Sequence, residues 1–345
     1  MQPTMEDVAR KAGVSKSTVS FVLNDKPGVS EEMKTAVLKT AEELGYSLPE
    51  RRPMRTPQNQ QKNFTVIHHV GQETYNNVYG LFVNYLQGIR NFAQQANINI
   101  TAINGYHKGD LANLETHILT DKNTPSDGLI LMGAGFKRDS QLMHRAIELQ
   151  IPLVVLSRNW PDLPISTVGQ NHHQQAQTAL DHLAQLGHRK IAFLANKSDQ
   201  AYEWFDVRLS CYRQKMQQLN QTINEDWIML GDNGTDATKK LLTQHPEITA
   251  IFAIHDERAN QAIQGAVDMG LDVPKDISII GLDGSEDTPS GLPTLTTVQV
   301  PHFEVGYLAA ELLLRQIENE SLCHGNLIVC SQLIKGASCR SLVHN

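Results

Sequence analysis

Near the start of the chain, apolar residues recur at helical spacing in three short runs. Val8, Ala9 and Ala12 form one stripe, Val19, Val22 and Leu23 a second, and Met33, Val37, Ala41 and Leu44 a third. Thr4 with Asp7 reads as a capping box ahead of the first run, and Ser15 and Ser30 read as caps of the next two. Gly13 permits a tight turn between the first two runs, and Gly45 stops the third. Two short helices joined by a Gly-Val turn make a helix-turn-helix, whose second helix enters the DNA major groove. The spacing leaves Lys16, Ser17, Ser20 and Phe21 on or near the outer face of that second helix. The plain alternative is a small three-helix bundle that binds nothing.

Periodicity vanishes over 46–63, where YSLPERRPMRTPQNQQKN has three prolines and no apolar repeat, as in a linker. Beyond it, strand-like runs at 65–70, 98–103, 128–132, 153–156, 191–194, 250–254 and 277–282 alternate with helical patterns. Those helical patterns fall near 81–96, 140–150, 173–186, 207–219, 236–244, 257–269 and 303–317. Such alternation predicts parallel sheets wrapped by helices, and the run is too long for one sheet. The expected architecture is an all-α helix-turn-helix headpiece (1–45), a hinge or linker (46–63) and an α/β core (64–345) of two doubly wound parallel-sheet subdomains with a cleft between them. Open α/β sheets bind ligands at the carboxyl ends of their strands. That rule selects Ser157, Arg158, the stretch 202–208, His255, Asp256 and Asp283. Tyr202, Trp204 and Phe205 read as a loop whose aromatic faces suit a pyranose or a purine; a packed loop cluster is the alternative, and Trp160 and Tyr79 are weaker candidates of the same kind.

Charge sharpens this division. The 345 residues carry a net charge of −7, which argues against general nucleic-acid coating. Residues 1–62 hold ten Lys/Arg against eight Asp/Glu, so a net +2 headpiece precedes a −9 body. Cys211, Cys323, Cys330 and Cys339 show no CxxC spacing, the opening MQPTMEDVARK lacks an apolar signal core, and no apolar run of about 18 residues exists. These features suit reduced thiols in a cytoplasmic protein with no membrane partner. His68-His69 and His172-His173 lie in no Cys/His ligand frame, so no metal is expected. There is no P-loop and no GxGxxG after the first strand, Gly133-Ala-Gly135 being too short, so no cofactor is expected. Ser157 has no evident His/Asp partner, and His255 and Asp256, as neighbours at a strand end, should point apart. An enzyme is therefore not expected, and no residue is assigned as catalytic.

The stretch MEDVARKAGVSKSTVSFVLNDKPGVSEEMKTAVLKTAEELGY resembles the headpiece of the lactose/galactose repressor (LacI/GalR) family of bacterial transcription regulators, with the DVA, AGVS, TVS and VLN words in that family's order. LGHRKIAFL, VRLSCYRQ, VPKDISIIGLDG and LPTLTTVQVP resemble it downstream, so the likeness covers nearly the whole chain. The resemblance implies a periplasmic-binding-protein-like core crossed three times, near 167, 298 and 325. Subdomain one would then hold about 64–167 and 299–325, and subdomain two about 168–298 and 326–345. It further implies a homodimer on a near-palindromic double-stranded operator and a small-molecule effector. The ending QLIKGASCRSLVHN has no leucine heptads, so no tail-mediated tetramer is expected.

By the same resemblance, Lys16, Ser17 and Phe21 reach base edges: Lys donates to guanine, Ser reads either way, and Phe meets only a thymine methyl. Thr4, Thr18, Ser20, Asn24 and Ser30 fall at phosphate-contacting positions. Met54 aligns with an apolar wedge for the minor groove, flanked by Arg52 and Arg55. Pro53 departs from a standard hinge helix, because it removes an amide donor and disfavours helical geometry at Arg52. In the cleft, Arg208 matches the arginine that grips ligand oxygens, and Asp283 matches the first acid after ISIIG. Ser157, Arg158, Trp204, Phe205 and His255 complete the expected effector set, although the family often has Asp at the Ser157 position and Asn at the His255 position. The implied function is a repressor released from its operator by a small polar effector, a sugar or sugar phosphate. The alternatives are a regulator needing a co-repressor such as a purine, a non-regulatory sugar-binding protein and an architectural DNA binder.

Overall fold

The computed structural model describes residues 3–23, 29–46, 61–69, 78–105, 126–133, 136–158, 160, 162–284, 289–319 and 324–343. Its contacts divide the chain into Met1–Gln60 and Gln61–Asn345.

The first unit holds α1 (Met5–Ala12), α2 (Lys16–Leu23) and α3 (Glu31–Glu43). The Thr4–Asp7 capping box forms in both directions: the Asp7 amide donates to Thr4 Oγ1 (3.3 Å) and the Thr4 amide to Asp7 Oδ2 (2.9 Å). Gly13 takes the left-handed conformation (φ 71°) that closes α1. The Thr18 amide donates to Ser15 Oγ (3.1 Å) and the Met33 amide to Ser30 Oγ (3.4 Å), so each helix start is satisfied by a side chain. Val8, Ala9, Val19, Val22, Val37 and Ala41 form the core. Met33 departs from the expected stripe: it lies in the opening turn of α3 and is 41 % exposed.

The second unit contains two sheets. β1 (Asn63–His69), β2 (Asn99–Gly105), β3 (Gly128–Met132), β4 (Leu153–Leu156), β5 (Ser166–Gln170) and β11 (Asn326–Val329) form the first, in the order β11-β5-β4-β3-β1-β2. β6 (Ile191–Ala195), β7 (Ile228–Leu230), β8 (Ala250–Ala253), β9 (Ser278–Asp283), β10 (Thr296–Gln299) and β12 (Gln332–Ile334) form the second, in the order β12-β10-β9-β8-β6-β7. All pairings are parallel except β10 with β12, an antiparallel edge the sequence pattern did not predict. The central strands β3 and β6 are buried at every residue, as expected of parallel strands covered on both faces.

The covering helices are α4 (Val78–Gln95), α5 (Gln141–Glu148), α6 (His172–Gln185), α7 (Glu203–Gln218), α8 (Gly234–Gln244), α9 (Asp256–Asp268) and α10 (His302–Glu318). Ile89 of α4 and Val305, Ala309 and Leu313 of α10 share a core with Phe64, Val66 and Ile130 of the first sheet. Leu142, Met143 and Ala146 of α5 cluster with Ile67, Leu129 and Leu131. In the second sheet, α6 and α7 pack on Phe193, Phe252 and Ile280, while α8 and α9 pack on Leu194, Ile251 and Ile279.

Among the described residues the chain passes between the sheets three times: after Gln170, after Gln299 and after Val329. The first and last passages come a few residues beyond the expected 167 and 325, because β5 and β11 continue as paired strands of the first sheet, Asn326 opposite Thr167 and Val329 opposite Gln170.

The closest helix contact is made by glycines. A Cβ on Gly88 would overlap the Phe303 carbonyl, and one on Gly306 would overlap the Tyr85 carbonyl, so α4 and α10 touch backbone to backbone. Ala in place of Gly gains about 1 kcal/mol in helix propensity, but overpacking against a rigid backbone costs about 1–3 kcal/mol or more. Gly306→Ala is expected to lower the urea midpoint, as followed by circular dichroism.

The final segment is stitched to the second sheet. Buried His188 has Nδ1 3.0 Å from Thr249 Oγ1 and Nε2 3.2 Å from the Arg340 carbonyl, and burial pushes its pKa down to about 4. An imidazole held neutral when folded but protonated near 6.5 when unfolded costs stability as the pH falls from 6.5 towards 4. Urea titrations across that window should show a smaller loss for His188→Gln than for the parent.

Candidate functional site

The carboxyl end of the second sheet surrounds one guanidinium. Arg208, on α7, is 4 % exposed; its Nη1 donates to the Ile254 carbonyl (2.6 Å) and its Nη2 to Gln175 Oε1 (3.2 Å), while Nε has no hydrogen-bond partner among the described residues. Asp283, Asp199 and Asp256 all stabilise its charge. Asp283 ends β9 with φ 125°, and burial raises its carboxyl pKa, opposed mainly by Arg208. Ser157, just past β4, also has positive φ (56°), and its Oγ lies 2.8 Å from Tyr85 Oη. Two non-glycine residues in this sparsely allowed region, both at strand ends, are held there by their surroundings.

His255 caps α9: its Nδ1 accepts from the Arg258 amide (3.2 Å). Burial, aided by Arg258 and Arg208, pushes its pKa down to about 3, so the ring is neutral and Nε2 carries the proton. Nε2 faces the Asn196 side-chain amide at 3.2 Å and Asp199 Oδ2 at 3.7 Å. The neighbour Asp256 is 1 % exposed and accepts from Thr297 Oγ1 (2.6 Å), so the two adjacent side chains serve different partners.

The aromatic stretch is not a loop. Tyr202 is the extended N-cap of α7, so Trp204 and Phe205 stand in its first turn, with Glu203 and Asp206 favouring that helix end. Trp204 stacks on Tyr202 (5.3 Å between centroids) and lies 4.8 Å from the Arg208 guanidinium carbon, a cation–π contact. Phe205 is 3 % exposed and meets Phe193 edge-on in the core, which corrects its expected place in the cleft. Trp160 is likewise core, packed with Leu131 and Leu142. Arg158 donates to the carbonyls of Ser157 (2.9 Å), Gly133 (3.3 Å) and Phe136 (3.5 Å), bracing the loops of the first sheet.

Charges reach across the cleft. Arg158 of the first sheet is stabilised by Glu203 of the second, and Arg208 lowers the pKa of both His172 and His302 to about 4, second to burial. The sequence reading missed Tyr85, Gln170, His172, Gln175 and His302. Gln175 had a legible signal: it is a glutamine at core spacing with Ala179 and Leu183 on α6, and it is fully buried.

In the headpiece, Thr4 Oγ1 donates to Asp7 Oδ2 (2.7 Å), so its hydroxyl proton is committed within the capping box. Ser30 Oγ accepts from the helix and retains a proton to donate. Thr18 Oγ1 shares a hydrogen bond with Ser15 Oγ (2.8 Å). Lys16, Ser17, Ser20 and Phe21 lie on α2 and Tyr79 on α4, but their side chains are outside the described residues, as are Asn24, Arg52, Met54 and Arg55 altogether. Among the described residues, no helix is long and apolar enough to cross a membrane.

Residues 4–48 match the bacterial regulatory proteins of the lacI family, and residues 180–339 match a periplasmic binding protein-like domain. The regulator MalR of Clostridium butyricum is 30 % identical over 97 % of this chain and 98 % of its own. Two solved structures share the fold. A complex of the regulator CelR with cellobiose has a TM-score of 0.69 at 24 % identity, covering 97 % of this chain and 99 % of its own. A lac repressor dimer bound to operator and the anti-inducer ONPF has a TM-score of 0.65 at 22 % identity, covering 99 % and 100 %. Given a matching headpiece and a relative aligned from end to end, this chain belongs to the lacI family of bacterial transcriptional regulators.

Proposed function

We propose that this regulator is a homodimeric repressor that releases a near-palindromic operator when a neutral carbohydrate enters the cleft. The observation that carries the effector class is the charge around Arg208. Three carboxylates stabilise that one guanidinium, and three of the five donors of Arg158 are engaged by backbone carbonyls. Such a site offers a cation and several acceptors to a ligand rich in hydroxyl donors, and it offers little to offset a phosphate's charge. Ser157, Arg208, His255 and Asp283 are the contacting groups in this reading, with Trp204 setting the guanidinium plane. The cellobiose complex of CelR, a protein of the same fold, supports a sugar. For release, the ligand must bind two cleft geometries unequally.

On the DNA side, Lys16, Ser17 and Phe21 read base edges, and Thr18, Ser20, Asn24 and Ser30 hold phosphates, with Arg52, Met54 and Arg55 at the minor groove. Thr4 holds its phosphate through the helix start rather than through its committed hydroxyl. The lac repressor dimer on its operator supports two-fold reading by two headpieces.

Selection of bound fragments from random DNA should recover an inverted repeat with half-sites about one helical turn apart. Lys16→Ala should change preference at one symmetric position by about 1–3 kcal/mol; recovery of no motif would refute operator reading. In a thermal-shift screen, a neutral mono- or disaccharide should raise the melting temperature. A response confined to nucleobases or phosphate esters would overturn the effector class. Arg208→Ala and Asp283→Ala should each weaken the identified sugar at least about tenfold, the cost of a charged hydrogen bond, while selecting the same inverted repeat as the parent.

A further inference from the structure

One buried side chain ties the guanidinium of the cleft to the connections between the sheets. Gln175 is fully buried on α6, and all four of its hydrogen-bonding valences are filled by protein. Its Oε1 accepts from Arg208 Nη2 and faces His172 Nδ1, both at 3.2 Å. His172 is held neutral, its pKa pushed down to about 4 by burial and Arg208, and because Oε1 can only accept, this contact takes the tautomer with the proton on Nδ1. Gln175 Nε2 donates to Ser331 Oγ (3.0 Å) and to Gln170 Oε1 (3.4 Å).

These partners are distributed in a particular way. Gln170 ends β5 at the first passage between the sheets, and Ser331 stands in the third, where Gln174 also grips its backbone in both directions (2.9 and 3.0 Å). Gln170 Nε2 in turn donates to Tyr85 Oη, which leaves the phenol proton for Ser157 Oγ. The Tyr85 ring meets His302 edge-on at 4.8 Å, and His302 opens α10 just after the second passage. Hydrogen bonds thus run from Arg208 through Gln175 directly to the first and third passages, and on through Gln170 to Tyr85, whose ring contact with His302 reaches the second.

We propose that Gln175 is the positioning residue through which the state of Arg208 is felt by the connections between the sheets. It does so without touching the effector. If Arg208 withdraws, one of the two lone pairs of Oε1 is left unmet in a buried site, so a shift of the guanidinium towards a ligand favours reorientation of the carboxamide, which displaces its bonds to Gln170 and Ser331. The inference rests on the reading of Arg208 as the effector contact only for its consequence in regulation; the physical linkage is a property of the unliganded chain.

Amide hydrogen exchange on the full-length protein without ligand tests it. Arg208→Met should raise exchange at 166–171 and 329–332 by about fivefold or more relative to the parent, a local opening read at sites it does not contact. Gln175→Leu should produce the same rise by itself, and adding Arg208→Met to it should produce no further rise. Should Gln175→Leu fail to fold, Ser331→Ala removes a single valence. In that background Arg208→Met should still act on 166–171 but lose its effect on 329–332. If Arg208→Met leaves both segments unchanged, or its effect adds in full to that of Gln175→Leu or Ser331→Ala, the linkage is refuted. Failure of the carbohydrate reading shows separately, as a thermal-shift screen without a sugar response, and leaves the exchange result standing.

Discussion

A guanidinium taken out of water constrains the architecture of this protein. Arg208 stays charged only because a carbonyl, a carboxamide and nearby carboxylates replace its hydration, and each comes from a different element. The carbonyl follows β8, the carboxamide stands on α6, and Asp283 ends β9 in a conformation non-glycine residues seldom adopt. Removing any of them would leave a buried charge or dipole unmet. The strand ends are therefore fixed relative to one another by electrostatics, while the sheets behind them are fixed by apolar packing.

The two kinds of constraint act in different places. Packing holds each sheet to its helices, and the described cores lie within a subdomain, as with Phe193, Phe205 and Tyr212 around the second sheet. Between the sheets the chain runs in three short connections, and what surrounds these is polar: Gln170, Gln174, Gln175, Ser331 and His302. Hydrogen bonds are directional and can be exchanged for others at little net cost, whereas a packed core resists sliding. The polar seam is thus where two rigid bodies can change their relation.

Much of the fold was legible because the chemistry is local. Gly128–Met132 and Leu153–Leu156 are unbroken aliphatic blocks and could only be buried strands, and the Thr4–Asp7 and Ser30 caps declare their helices within four residues. The strands Ser166–Gln170, Thr296–Gln299 and Gln332–Ile334 were illegible because they are short and polar, and only a distant partner makes them strands. At the site, the rule that ligands meet strand ends pointed to Ser157, His255 and Asp283. Phe205 was misplaced because its stretch was read as a loop, although Glu203 and Asp206 mark a helix start. Tyr85 escaped notice because its partners Ser157, Gln170 and His302 lie far away in sequence, and Gln175 because its place on the core stripe of α6 marks burial but not the distant groups it bonds.

The glycine contact between α4 and α10 has a mechanical consequence. Where two helices meet through side chains, rotamer changes can take up part of any displacement. At Gly88 and Gly306 there are no side chains to yield, and backbone rests on backbone. Tyr85 belongs to one of these helices and His302 to the other, so a push delivered at either ring reaches both. The two helices are thus braced directly against each other, with no side chain at the contact whose rotation could absorb a displacement.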